Sequence, residues 1–159
     1  MTSTGRPASP QAGHALRYGV DAPYVPAAFV VAGSMGLVVG VVMHSIGLVI
    51  VGLIFLVQAA VFLHTTLRGK FVTWERLLDR LGLQGSEAML DVGCGRGAVL
   101  IAAALRVPGG AAHGLDLWRS QDQSGNAEAV TQGNAVAAGV GDRVELHTGN
   151  MTGMPFACD

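Results

Sequence analysis

Hydrophobic and polar positions are unevenly distributed along the chain. From Ala22 to Leu67 there is no Asp, Glu, Lys or Arg. Inside that window two apolar runs, Val25–Met43 and Ile46–Leu63, flank the polar pair His44-Ser45. Each run is 18 or 19 residues long. As a helix it would be about 27–29 Å long, close to the roughly 30 Å of bilayer hydrocarbon. One helix through the whole window would be about twice too long for a bilayer, so the pattern predicts two transmembrane helices, 25–43 and 46–63, in a hairpin spanning 25–64.

Ala28, Ala32, Gly36 and Gly40 recur every four residues on the first run. Small residues at that spacing let helices approach closely, so this stripe is expected to meet the second helix or another copy of the chain. Arg6 and Arg17 precede the hairpin, and Arg68, Lys70 and Arg76 follow it. The positive-inside rule then places both flanks in the cytoplasm of a cell-membrane protein with two spans. Two alternatives fit less well. A soluble fold this small would struggle to bury both runs, and a signal peptide has a shorter apolar region nearer the N-terminus. Residues 1–24 lack periodicity and most of them read as a flexible leader; Arg17–Pro23 is the exception, with Tyr18 expected at the membrane interface.

The pattern changes after the hairpin. Phe71–Leu83 carries Trp74, Leu77, Leu78 and Leu81 at helical spacing, with Thr73 as N-cap and Gly82 as stop. Ala88–Val92 reads as a short buried strand and Ala98–Leu105 as a helix. Ala111–Leu117 reads as the next strand, Asn126–Ala138 as a helix and Arg143–Gly149 as a third strand. This β-α-β-α-β order predicts an α/β unit over 71–159 with a parallel sheet.

Composition sharpens this picture. Charged residues are 13% and hydrophobic residues 50% of 159, with mean hydropathy +0.45. That is too apolar for a disordered chain, and a formal net charge of -1 gives no argument for nucleic acid. Cys94 and Cys158 form neither a CxxC pair nor a disulfide framework. His14, His44, His64, His113 and His147 show no metal-ligand spacing, and His113 and His147 read as strand residues. No metal site is expected.

The candidate chemistry lies at "LDVGCGRGA", Leu90–Ala98. Glycines at the carboxyl end of a parallel strand let backbone N–H groups approach a ligand, and the next helix points its positive end there. "GCGRGA" fits the dinucleotide pattern G-x-G-x-x-G/A. A nicotinamide-dinucleotide oxidoreductase is therefore one reading. Asp91, two residues before the first glycine, argues against it: a carboxylate repels a pyrophosphate and attracts an ammonium group.

"LDVGCGRG" resembles the first motif of the class I S-adenosylmethionine-dependent methyltransferases. The resemblance implies an incomplete Rossmann-like fold with S-adenosyl-L-methionine as cofactor. It places Asp91 near the methionine portion, with Gly93, Cys94, Gly95 and Gly97 in the loop around it. Cys94 stands at a variable position of the motif and reads as a small filler. Asp116, 19 residues after Gly97, would accept the ribose hydroxyls, a placement that suits either cofactor, and Leu117 and Trp118 would pack near the adenine. "GNMTGMPF", Gly149–Phe156, resembles the segment after the third strand. There Asn150, in place of the commoner Asp, would meet the adenine amino group and Met151 its face. Asp122–Asn126 reads either as a polar loop beside the cofactor or as a helix cap.

The resemblance covers about Phe71 to Asp159, roughly the N-terminal half of the family's seven-stranded domain, and no catalytic residue is identified. The expectation is a membrane-anchored methyltransferase, apparently cut after strand three, with a small-molecule or lipid methyl acceptor. Either the reading frame is truncated or another chain completes the sheet. A non-catalytic membrane protein with a vestigial cofactor domain is the other alternative. Self-association through the sheet edge or the small-residue stripe is a further expectation.

Overall fold

The computed structural model describes residues 18–154 and 156. Arg6, His14, Arg17 and Cys158 lie outside them, as does most of the expected leader. The two apolar runs form α1 (Tyr24–Val42) and α2 (Ile46–His64). His44, at φ 49°, makes the reversal, and the Ser45 amide donates to the Gly40 carbonyl at 2.8 Å.

Close packing of α1 on α2 explains the glycines. A Cβ on Gly36 would sit 3.1 Å from the Gly52 Cα, and one on Gly40 would sit 2.7 Å from the Val49 nitrogen. The stripe therefore faces α2, but its N-terminal members differ from expectation. Ala28 is exposed, and Gly33, one residue beyond Ala32, is buried against Leu56 and Gly52. Helix-helix crossing, not strict four-residue spacing, chooses which small residues touch. Outside this seam the hairpin is apolar and open: Val31 is 66% exposed, Val42 71% and Ile46 79%. Both helices are long and apolar enough to cross a membrane.

The second helix does not end at the membrane-length boundary. It passes through a π-helical turn, Thr65–Gly69, directly into α3 (Lys70–Arg80). A continuous helix of 35 residues, Ile46–Arg80, results, about 52 Å long. This corrects the expected start at Phe71 with Thr73 as N-cap: no terminus exists there for a hydroxyl to cap. The π turn shifts the helical phase just where the charge-free stretch gives way to Arg68 and Lys70. Gly82, at φ 63°, ends the helix as expected. Of the four periodic apolar residues only Leu78 is buried, against Ala102 and Ala103. Arg106 fastens α3 to α4 beside this contact. Its guanidinium pairs with Asp79 at 2.7 Å and donates to the Glu75 and Ala102 carbonyls.

The α/β unit follows the expected order: β1 (Ala88–Val92), α4 (Ala98–Ala104), β2 (Ala111–Asp116), α5 (Glu128–Ala137) and β3 (Val144–Thr148). The strands form one parallel sheet in the order β1-β2-β3. Asp91 pairs with Gly114, and Gly114 with Leu146. One face carries the core: Leu100, Ile101 and Ala104 of α4 and Ala135 of α5 pack over Ala112 and Val144. The opposite face is open along β1, with Leu90 43% and Val92 42% exposed, whereas Leu115 beside Val92 is 1% exposed. On its outer side β1 pairs with no strand among the described residues.

Tyr18 corrects the leader boundary. It is 4% exposed and joins this core, its ring 5.3 Å from that of Phe71. Residues 18–23 thus belong with the α/β unit. The physical reason is a set of contacts distant in sequence. Val20 and Ala22 exchange backbone hydrogen bonds with Ser124 and Asp122, and Asp21 forms an ion pair with Lys70 at 2.8 Å.

Candidate functional site

Strand β1 delivers Asp91 to the sheet's carboxyl edge, and the chain turns at once through Gly93, Gly95 and Gly97. Their φ angles are 78°, 51° and 84°, a region that L side chains avoid. The turn is tied to β2: the Gly93 amide donates to the Leu115 carbonyl at 2.7 Å, and the Gly95 amide to Asp116 Oδ2 at 2.8 Å. A Cβ on Gly93 would meet nothing within 4 Å, so this glycine faces open space. Gly97 is different. It is buried at the N-cap position of α4, where a Cβ would meet Thr131 at 2.9 Å and Ile101 at 3.2 Å. Its lack of a side chain serves packing.

An open cleft of about 360 Å³ lies beside this turn. Asp91, Gly93, Cys94, Gly95 and Asp116 all line it, so the structure brings five of the expected site residues together. Gly97, Leu117, Asn150 and Met151 are not among its walls. Leu117 is 40% and Met151 64% exposed just beyond β2 and β3. The Asn150 side-chain oxygen accepts the Thr152 amide at 3.1 Å in a local turn.

The electrostatics of the cleft are asymmetric. Asp91, Asp116, Asp21 and Asp122 line it with one cation, Lys70, which is already paired with Asp21. Asp91 Oδ2 is buried with no hydrogen-bond partner. Burial raises the Asp91 pKa to about 6, partly offset by the Leu100 backbone amide and reinforced by the Asp116 charge. A buried carboxylate oxygen without a donor is costly, and a cationic ligand in the cleft would relieve that cost. Asp116, by contrast, is engaged: besides Gly95 it accepts the Trp118 amide at 2.6 Å and the Asn126 side-chain amide at 3.0 Å.

Cys94 is buried, and burial, with the charges of Asp91 and Asp116, pushes its thiol up to about 12. A thiol held protonated is a poor nucleophile, in keeping with its reading as a filler.

The contacts that several cleft residues make were not readable from the sequence. Gln123 accepts the Arg96 amide at 2.7 Å and donates to Asp21 at 2.7 Å, joining the glycine loop to the segment before α1. Asn126 holds Asp116; the N-cap position of α5 is Ala127. Of the two readings of Asp122–Asn126, the loop beside the cleft is the one that matches. Asp21 and Lys70 carried no signal, because their partners lie far away in sequence.

No family model matches the chain. Over 69 residues it is 45% identical to nocamycin O-methyltransferase of Saccharothrix syringae, a match covering 42% of this chain and 25% of that protein. The chain thus spans about a quarter of the length of the curated relative it matches. A solved structure of geranyl diphosphate methyltransferase in complex with SAM is similar at 28% identity. That match covers 60% of this chain and 37% of that one, with a TM-score of 0.47.

Proposed function

We infer that the α/β half of this chain is part of a class I S-adenosylmethionine-dependent methyltransferase domain, carried on a two-helix membrane anchor. The resemblance carried by Leu90–Gly97 and the 45% identity to an O-methyltransferase agree on the family. One observation carries the assignment of the cleft: the buried, unpartnered Oδ2 of Asp91. S-adenosylmethionine bears an ammonium and a sulfonium and no phosphate. It therefore suits a cleft with four carboxylates, whereas a dinucleotide would bring its pyrophosphate against Asp91.

When bound, the cofactor supplies an electrophilic methyl group. The residues of this chain hold and orient it. Asp91 binds the ammonium through a charge-assisted hydrogen bond. Gly93, lacking a Cβ, leaves room for the ligand beside β1. Gly95 and Cys94 continue the wall, and Gly97 fixes the start of α4. Asp116 addresses the ribose. A carboxylate has about four acceptor positions; three here are in use, so a second ribose hydroxyl replaces the Asn126 amide. Leu117, Asn150 and Met151, at the ends of β2 and β3, form the adenine side. The acceptor is a small molecule or lipid close to the bilayer, since α3 joins the domain directly to α2.

The anchor reading rests on helix length, on the charge-free window and on apolar side chains left open to their surroundings. Arg68, Lys70 and Arg76 set the α/β side as cytoplasmic.

The test is direct binding to the full chain in lipid nanodiscs. S-adenosylmethionine should bind saturably, and S-adenosylhomocysteine should compete. NAD should not bind. Equal binding of NAD, or no saturable binding of either, refutes the assignment.

A further inference from the structure

The open face of the sheet, opposite α4, carries a second cluster. Strand alternation places Glu145 and His147 on one side of β3, and the register sets Glu145 beside His113 of β2. Gly114 and Leu146 point the other way, toward Leu100 of α4. The cluster therefore lies across the sheet from Asp91 and is independent of the cofactor cleft.

Its geometry is specific. His113 Nδ1 lies 3.3 Å from His147 Nε2 and 3.4 Å from Glu145 Oε2. One ligand atom from each of the three residues falls within 4.8 Å of the others. A tetrahedral zinc ion with ligands at about 2.0–2.1 Å requires ligand-to-ligand separations of roughly 3.3–3.4 Å. Two edges of such a tetrahedron are thus already in place. The two imidazoles stack at 29°, and the Phe156 ring stands edge-on to His147 at 5.0 Å. That ring gives the cluster an apolar wall, which lowers the local dielectric and strengthens metal-ligand attraction.

We propose that His113, Glu145 and His147 form a site for a divalent transition-metal ion of the zinc class. Two imidazoles and one carboxylate match the borderline preference of Zn²⁺, and three protein ligands leave a fourth position open to water. Sequence spacing missed the site because only Glu145 and His147 are close in sequence. Pairing of β2 with β3 brings His113 across from 32 residues away from Glu145.

The test uses the untagged full chain in tag-free nanodiscs, stripped of metal and titrated with Co²⁺ and then Zn²⁺. One equivalent of Co²⁺ should give the intense visible absorption of four-coordinate cobalt, and Zn²⁺ should bleach it. Losing an outer partner of a metal ligand costs about 10–100-fold in affinity. Loss of a ligand should exceed that, so His113→Ala and His147→Ala should each weaken Zn²⁺ binding by more than about 100-fold. Glu145→Gln, at a side chain 64% exposed and so of little consequence for folding, should weaken it by about 10-fold or more. His44→Ala/His64→Ala should bind as the parent does. Absence of stoichiometric binding, unchanged affinity in E145Q, or loss of binding in the His44/His64 variant each overturns the proposal.

Discussion

Asp91→Asn isolates the cost of holding a carboxylate in the cleft. Burial raises the Asp91 pKa from 3.8 to about 6. The folded chain therefore keeps the proton longer than the unfolded chain does. The group's contribution to stability is intact below pH about 4 and is lost as pH rises through about 6, where it levels off. At about 1.4 kcal/mol per pKa unit, the stability lost between pH 4 and pH 7 is about 2 kcal/mol. Asparagine has nearly the same shape and does not titrate. The stability difference between D91N and the parent should therefore move by about 2 kcal/mol in favour of D91N between those pH values. Denaturant unfolding of the full chain in nanodiscs, followed by Trp74 and Trp118 fluorescence at both pH values, measures it. Groups remote from Asp91 titrate alike in both chains and cancel. A difference that stays constant with pH would show that Asp91 is solvated, and the argument from its unpartnered oxygen would fall.

Other substitutions probe the fold and the proposed anchor. Gly114→Ala would put a Cβ 2.7 Å from Leu100 and 2.8 Å from the Cys94 sulfur, and should destabilise the domain by about 1–3 kcal/mol in denaturant melts. Gly52→Leu would meet backbone, the Leu37 nitrogen at 2.7 Å and the Gly33 carbonyl at 2.8 Å. It should force α1 from α2, read as loss of cross-linking between cysteines introduced at Phe29 and Phe55, whose rings lie 5.9 Å apart. Arg106→Ala removes the Asp79 pair and two carbonyl contacts; about 1–2 kcal/mol of stability should be lost, read as a lower denaturant midpoint. The full chain should stay in the membrane pellet after alkaline carbonate washing, and its α/β half should resist protease applied to sealed, intact cells.

Much of this architecture was legible in local pattern. The bounds of strand β1 are predicted residue for residue, because Ala88–Val92 is a short, mostly apolar run ended by glycines, but the strand expected to be buried exposes one face. The hairpin was equally plain, since lipid-length apolar runs need no knowledge of their partners. The junction at Thr65–Arg80 was not. A π turn continues a helix where a change from apolar to polar residues suggests a break, and no residue type marks it. Tyr18 was misplaced for another reason: an aromatic beside an apolar run looks like an interface anchor, and contacts distant in sequence, among them those of Asp21 with Lys70 and of Val20 with Ser124, draw it into the core. The glycine loop could be placed because positive φ and close backbone approach restrict the residue type. Gln123, Lys70 and His113 could not, since each acquires its role from residues on other elements.

The central claim is that Asp91 holds the ammonium of the cofactor, and a double comparison tests it most directly. S-adenosylmethionine and an analogue lacking the α-amino group are titrated into the parent and the D91N chain at pH 7. A hydrogen bond to a charged group contributes about 1.5–3 kcal/mol, so removing the amino group should cost the parent about 10–150-fold in affinity. The same removal should cost D91N almost nothing further. Equal losses in both chains would contradict the account, since the amino group would then be recognised elsewhere.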